Sequence, residues 1–135
     1  MTTPFRTTRR VEFSDTDMAG MVHFANFFRY MEAAEVELWR SRGLSVVLGQ
    51  QQEKLSFPRV SASCDFSKPA YFEDLLDIAV SIQRLGNKSV TFSFEFSKGA
   101  EVIARGQITA VCCRVVAGSP LEAVEIPAAI RERLQ

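Results

Sequence analysis

Between Phe24 and about Arg40 the apolar residues Phe24, Phe27, Phe28, Met31, Ala34, Leu38 and Trp39 recur at steps of three and four, while Arg29, Glu32, Glu37 and Arg40 mostly take the other faces. That spacing predicts one long amphipathic helix with a broad apolar side. It is the longest helix-like pattern in the chain, and Gly43 just beyond it is a natural C-terminal cap. The apolar side of such a helix has to be covered by something else, which constrains every later segment.

Those segments read as strands. Phe5 to Phe13 alternates, with Phe5, Val11 and Phe13 on one parity and Arg6, Thr8, Arg10 and Glu12 on the other. Arg59–Ser67 carries Val60, Ala62, Cys64 and Phe66 on one parity, and Leu75–Leu85 is a further run ended by a Gly86–Asn87 turn. Lys88–Ser97 alternates well, setting Val90, Phe92, Phe94 and Phe96 against Thr91, Ser93 and Glu95. Lys98–Gly99 is a hairpin signal, and Glu101–Val116 reads as one long strand bent at Gly106. Leu44–Gln52 reads as a short second helix or an ordered loop, Pro120 to Glu125 as a loop or short edge piece, and Pro127–Leu134 as a short helix with Pro127 at its start. The sum is an α+β chain of one domain over residues 1–135, with an antiparallel sheet wrapped around a central helix. A sheet covered on one face leaves edges that favour homodimers or homotetramers.

The 16 basic and 16 acidic side chains cancel, so net charge gives no support for nucleic-acid binding. Aromatic bulk is dominated by 11 Phe, which supply core and part of any pocket. Cys64, Cys112 and Cys113 form neither an even disulfide set nor a zinc spacing, and they read as buried free thiols of a reducing compartment. No apolar run reaches the roughly 18 residues of a membrane helix. The first ten residues hold no signal-peptide core, so the expected location is the cytoplasm, with no membrane insertion and no metal.

The chemistry concentrates in Val11–Phe28. Asp15, Asp17, Gly20 and the chain's only histidine, His23, fall within nine residues just before the long helix. A helix start leaves backbone N–H groups unpaired and carries partial positive charge, which suits a carbonyl oxygen turning into an oxyanion. An acid in the loop before it is a candidate nucleophile or base. Asp15 reads as the structural member of the pair, hydrogen-bonding the loop. Gly20 answers a conformational need, either a tight approach or a positive φ.

Asp15–Thr16–Asp17, Gly20, His23–Phe24 and Asn26, with Phe57–Pro58 before a later strand and Asn87–Lys88–Ser89 at the hairpin, resemble the hotdog-fold acyl-CoA thioesterases. The resemblance is to the 4-hydroxybenzoyl-CoA thioesterase family and its Tol–Pal-associated and 1,4-dihydroxy-2-naphthoyl-CoA relatives, and it runs over nearly all of the chain. Many Tol–Pal-type members read Tyr-His where this chain has His23–Phe24. The resemblance implies a hotdog fold and hydrolysis of an aryl or fatty acyl-CoA to free acid and CoA, with no cofactor beyond the CoA of the substrate. It implies that Asp17 is the catalytic carboxylate, as nucleophile or general base. It implies that the N–H of Phe24 helps hold the carbonyl oxygen and that Lys88 meets CoA phosphates. Gly20, His23, Asn26, Phe27, Phe57 and Ser89 are the further residues expected around the substrate. The rival readings are a hotdog hydratase or dehydratase, which needs a histidine beside an acid, and a non-catalytic acyl-CoA-binding protein.

Overall fold

The computed structural model describes residues 3–49 and 53–135. The predicted helix is α1, Phe24–Ser41, and it buries Phe27, Tyr30, Met31, Ala34, Glu35, Leu38 and Trp39 along one side. It stops where the periodicity stops. Gly43 adopts φ +72°, the N–H of Leu44 donates to the Trp39 carbonyl at 2.9 Å, and that of Gly43 donates to Arg40 at 3.0 Å. This paired closure of the last turn needs a left-handed residue, which glycine supplies without steric cost.

The large sheet has the order β1-β5-β6-β7-β4, built from β1 (Phe5–Arg10), β4 (Arg59–Phe66), β5 (Leu75–Leu85), β6 (Ser89–Lys98) and β7 (Glu101–Val111). All neighbours are antiparallel. β6 buries Val90, Phe92, Phe94 and Phe96 and turns Thr91, Ser93 and Glu95 the other way, as its alternation predicts. These phenylalanines meet α1 directly, Phe96 against Phe27 at a ring separation of 5.2 Å and Phe92 against Trp39 at 6.1 Å. The helix comes close at Gly106 on β7, where a Cβ would collide with Met31. The result is the expected α+β hotdog arrangement, a curved antiparallel sheet around one long helix.

Three expectations change in detail, and one further strand lies open. β1 ends at Arg10 rather than Phe13, and Phe13–Asp15 forms a single turn of 3-10 helix in which Asp15 and Glu12 cap each other. The long strand Glu101–Val116 is two strands. The chain turns at Cys112, whose N–H donates to Lys88 and whose carbonyl accepts from Val124, and then enters a second sheet as β8 (Cys113–Val116). That sheet has the order β2-β3-β8-β9, with β2 (Val47–Gly49), β3 (Glu53–Ser56) and β9 (Glu122–Ala123). Leu44–Gln52 therefore contributes a strand rather than a helix, and its positions 50–52 lie outside the described residues. Finally, β4 is an edge strand and is open to solvent along almost its whole length, Val60 and Phe66 included. Alternation marks one apolar parity on this strand without saying whether anything covers it. The closing helix α2 (Ala128–Leu134) follows Pro127 as predicted and buries Ile130 and Leu134.

Candidate active site

The segment from Asp15 to His23 folds into a small closed loop. Thr16 and Val22 pair as an antiparallel bridge, and the Asp17 N–H donates to the Met21 carbonyl at 2.8 Å. Gly20 turns the loop with φ +83°, and a Cβ placed there would meet nothing within 4 Å. Of the two needs expected of Gly20, the backbone conformation is the one that applies. The loop is tied to the segment after β4 by the Val22 N–H to Ala70 at 2.8 Å and by a Met21–Tyr71 bridge.

Inside this loop one carboxylate oxygen of Asp17 is occupied. Oδ1 accepts the N–H of Ala19 at 2.9 Å and that of Met21 at 3.2 Å. Oδ2 has no partner among the described residues, which leaves one oxygen oriented by the backbone and one free for chemistry. Asp15 is engaged through Oδ2 and its carbonyl. Its Oδ2 accepts from the Glu12 N–H at 2.9 Å and the Tyr30 hydroxyl at 2.8 Å, and its carbonyl accepts from the His23 N–H and the Asn26 amide at 2.9 and 2.7 Å. Its Oδ1, like Asp17 Oδ2, has no partner among the described residues; what sets Asp17 apart is its place in the groove at the helix start.

The helix start completes the arrangement. His23 is the N-cap, and its Nδ1 accepts the Ala25 N–H at 3.2 Å, which in the neutral ring puts the proton on Nε2. The Asn26 N–H goes to the His23 carbonyl at 2.8 Å. The first helical amide, that of Phe24, has no acceptor among the described residues. A groove of about 400 Å³ gathers Asp17, Phe24, Phe27, Phe66, Lys68 and Pro69, so the free carboxylate, the helix start and an aromatic wall share one space. A larger depression of about 610 Å³ lies on the outer face of the sheet between Arg6, Asp65, Glu95 and Arg105. No helix start is among its lining residues, so the smaller groove is the candidate site.

The model of the Thioesterase-like superfamily matches residues 11–134 of this chain. The chain belongs to that superfamily. A protein of Aquifex aeolicus (strain VF5) named an esterase is 33% identical over 132 residues, 98% of each chain. The 1,4-dihydroxy-2-naphthoyl-CoA hydrolase of Nostoc punctiforme (strain ATCC 29133 / PCC 73102) is 31% identical over 108 residues, 80% of this chain and 73% of that one. Among solved structures, a gentisyl-coenzyme A thioesterase superposes with a TM-score of 0.78 at 28% identity, covering 96% of this chain and 98% of the other.

Against this thioesterase-like frame the sequence expectations divide. Asp17, Phe24 and Phe27 line the groove, while Gly20, His23 and Asn26 shape the loop and helix start around it. Asn26 spends its amide on the Asp15 carbonyl. Three expected substrate residues lie elsewhere in the chain. Phe57 is fully buried against Trp39 near the far end of α1, at a ring separation of 4.7 Å, and belongs to the core. Lys88 and Ser89 sit at the start of β6, whereas its other end, Lys98, reaches Asp74 beside the groove. A ten-residue strand separates them by about 30 Å. The groove also holds Phe66 and Lys68, whose Nζ lies 2.7 Å from Glu101 Oε2. Alternation marks Phe66 only as apolar. Lys68 is, with Arg59, Arg84 and Lys98, one of the weaker phosphate candidates that the sequence offers beside Lys88.

Proposed function

We propose that this thioesterase-superfamily protein hydrolyses an acyl-CoA thioester, with Asp17 as the reacting carboxylate and the Phe24 N–H as oxyanion donor. The observation that carries the reading is the free Phe24 amide in the same groove as an Asp17 carboxylate with one oxygen uncommitted. The thioester carbonyl oxygen sits at the helix start, where negative charge is favoured as the tetrahedral intermediate forms. Asp17 either takes a proton from water as the water attacks the carbonyl carbon, or attacks that carbon itself to give a mixed anhydride that water then opens. In both routes the C–S bond breaks, CoA leaves as the thiol and the free acid is released. Neither route uses a metal or redox cofactor.

Aryl-CoA esters are the first substrates to test, since the relatives named above act on naphthoyl and gentisyl esters and the groove wall is aromatic. Hydration of an enoyl-CoA fits less well, because the His23 Nδ1 is used as a helix cap. We also propose a single domain acting as a homodimer or homotetramer in the cytoplasm. The unpaired edge of β4, the exposed Val60 and Phe66 and the exposed Phe13–Phe72 pair favour assembly. Light scattering that returned only a 15.1 kDa species would remove the assembly claim.

The deciding experiment is steady-state thiol release by Asp17→Asn. The change keeps shape and removes the charge, so kcat should fall at least about 10²-fold with KM within about tenfold. A folded variant with near wild-type kcat would refute the assignment, and an inactive Asp15→Asn beside an active Asp17→Asn would transfer it to the other acid.

A further inference from the structure

We propose that Tyr30 is a positioning residue for thioester hydrolysis, its hydroxyl acting through the Asp15 carboxylate to hold the Asp17 loop against the start of α1. This rests on the reading of Asp17 and Phe24 given above. Tyr30 is buried, 1% exposed, and its Oη donates to Asp15 Oδ2 at 2.8 Å. Asn26, one helical turn earlier on the same face, donates its amide to the Asp15 carbonyl at 2.7 Å. Side chains on a helix lean toward its N-terminus, so residues four apart on one face both reach back over the preceding loop. Tyr30 and Asn26 thus grip one residue from two sides, by its carboxylate and by its carbonyl.

Among the described residues it is the only one of the loop that accepts from two side chains of α1. Asp15 also accepts the Glu12 N–H and, through its carbonyl, the His23 N–H, so it joins the end of the first strand segment, the loop and the helix cap. Asp17 lies two positions after it and Phe24 one position after His23. The separation between reacting carboxylate and oxyanion amide is therefore set largely by how firmly Asp15 is held to α1. Misplacement of about 1 Å at such a pair lowers a rate by orders of magnitude without abolishing binding. Tyr30 is itself fixed by Phe27, edge-on at 5.9 Å, and by the Arg9 guanidinium 5.3 Å above its ring. Burial, and then the bond to Asp15, keep its phenol protonated well above the ordinary range, so the hydroxyl stays a donor at any working pH.

The test compares Tyr30→Phe, Asp15→Ala, their double variant and Asp17→Asn by thiol release, using whichever of benzoyl-, hexanoyl- and palmitoyl-CoA the wild type turns over fastest. Tyr30→Phe should lower kcat about tenfold and leave KM within about threefold. The double variant should have the kcat of Asp15→Ala alone, because both changes break one contact. A folded Tyr30→Phe enzyme with a lower Tm and unchanged kcat would show a purely structural tyrosine and overturn the proposal, as would losses that simply multiply in the double variant. If Tyr30→Phe does not fold, Asn26→Ala removes the companion bond to Asp15 and must show the same loss confined to kcat. An active Asp17→Asn, or a wild type that cleaves none of the three esters, would sink the underlying reading. A dead Asp17→Asn beside an unaffected Tyr30→Phe would sink this inference alone.

Discussion

Gly106 lies directly beneath Met31. A Cβ on Gly106 would stand 2.7 Å from Met31 Cε, 2.8 Å from its Sδ and 2.9 Å from the Ser63 carbonyl oxygen. The absence of a side chain on β7 is what lets α1 settle onto the sheet at this point. Gly106→Ala should lower stability by about 1–3 kcal/mol, because Met31 can swing aside but the Ser63 backbone cannot. Thermal denaturation followed by CD should show a Tm lower by about 3–10 °C. An unchanged Tm would mean the helix rides higher above the strand than the contacts imply.

His23 offers a separable test of the helix start. Its Nδ1 serves the Ala25 N–H, a task that asparagine also performs. His23→Ala should cost about 1 kcal/mol, whereas His23→Asn should restore most of that loss and keep kcat within about threefold of wild type. A stable His23→Asn with kcat reduced a hundredfold would assign the imidazole a chemical role.

Two lysines are candidates to meet the CoA phosphates of the proposed substrate. Lys68 borders the groove and Lys88 lies at the remote end of β6, from where only another subunit could bring it to Asp17. Loss of an exposed charge weakens ground and transition states alike, so the effect belongs in KM. Lys88→Ala should raise KM for acyl-CoA several-fold with kcat little changed, and only in an oligomer. A KM effect confined to Lys68→Ala would place the phosphates at the groove of the same chain.

The loop beside the groove supplies a pH prediction. Asp74 Oδ2 accepts the Tyr71 N–H and the Lys98 ammonium, each at 2.9 Å. Its burial opposes ionisation, yet the Tyr71 N–H and Lys98 outweigh that and hold its carboxyl below the usual range. A depressed acid stabilises the fold above its unfolded pKa, and the contribution is lost as pH falls through the folded value. Wild type should therefore lose more Tm than Asp74→Asn between pH 6 and pH 3, while at pH 7 the variant is less stable by up to about 1 kcal/mol. Parallel Tm-against-pH curves for the two proteins would exclude this role.

Local pattern was enough for α1, its Gly43 stop, the buried phenylalanines of β6 and the grouping of Asp15, Asp17 and His23 before the helix. Each is decided by residues a few positions apart, through helical or strand periodicity, a left-handed cap or a helix start. Contacts between distant segments decided the rest. Whether the apolar parity of β4 faces the core depends on that strand being an edge, which its alternation does not encode. The break at Cys112 depends on Lys88 and Val124 meeting its backbone from two other segments. Family resemblance places Lys88 and Phe57 at the site by chain order, and within one chain a ten-residue strand and the length of α1 stand between them and Asp17. Tyr30 read only as a helix residue, since a hydroxyl shows its partner once the helix has folded back over the loop that precedes it.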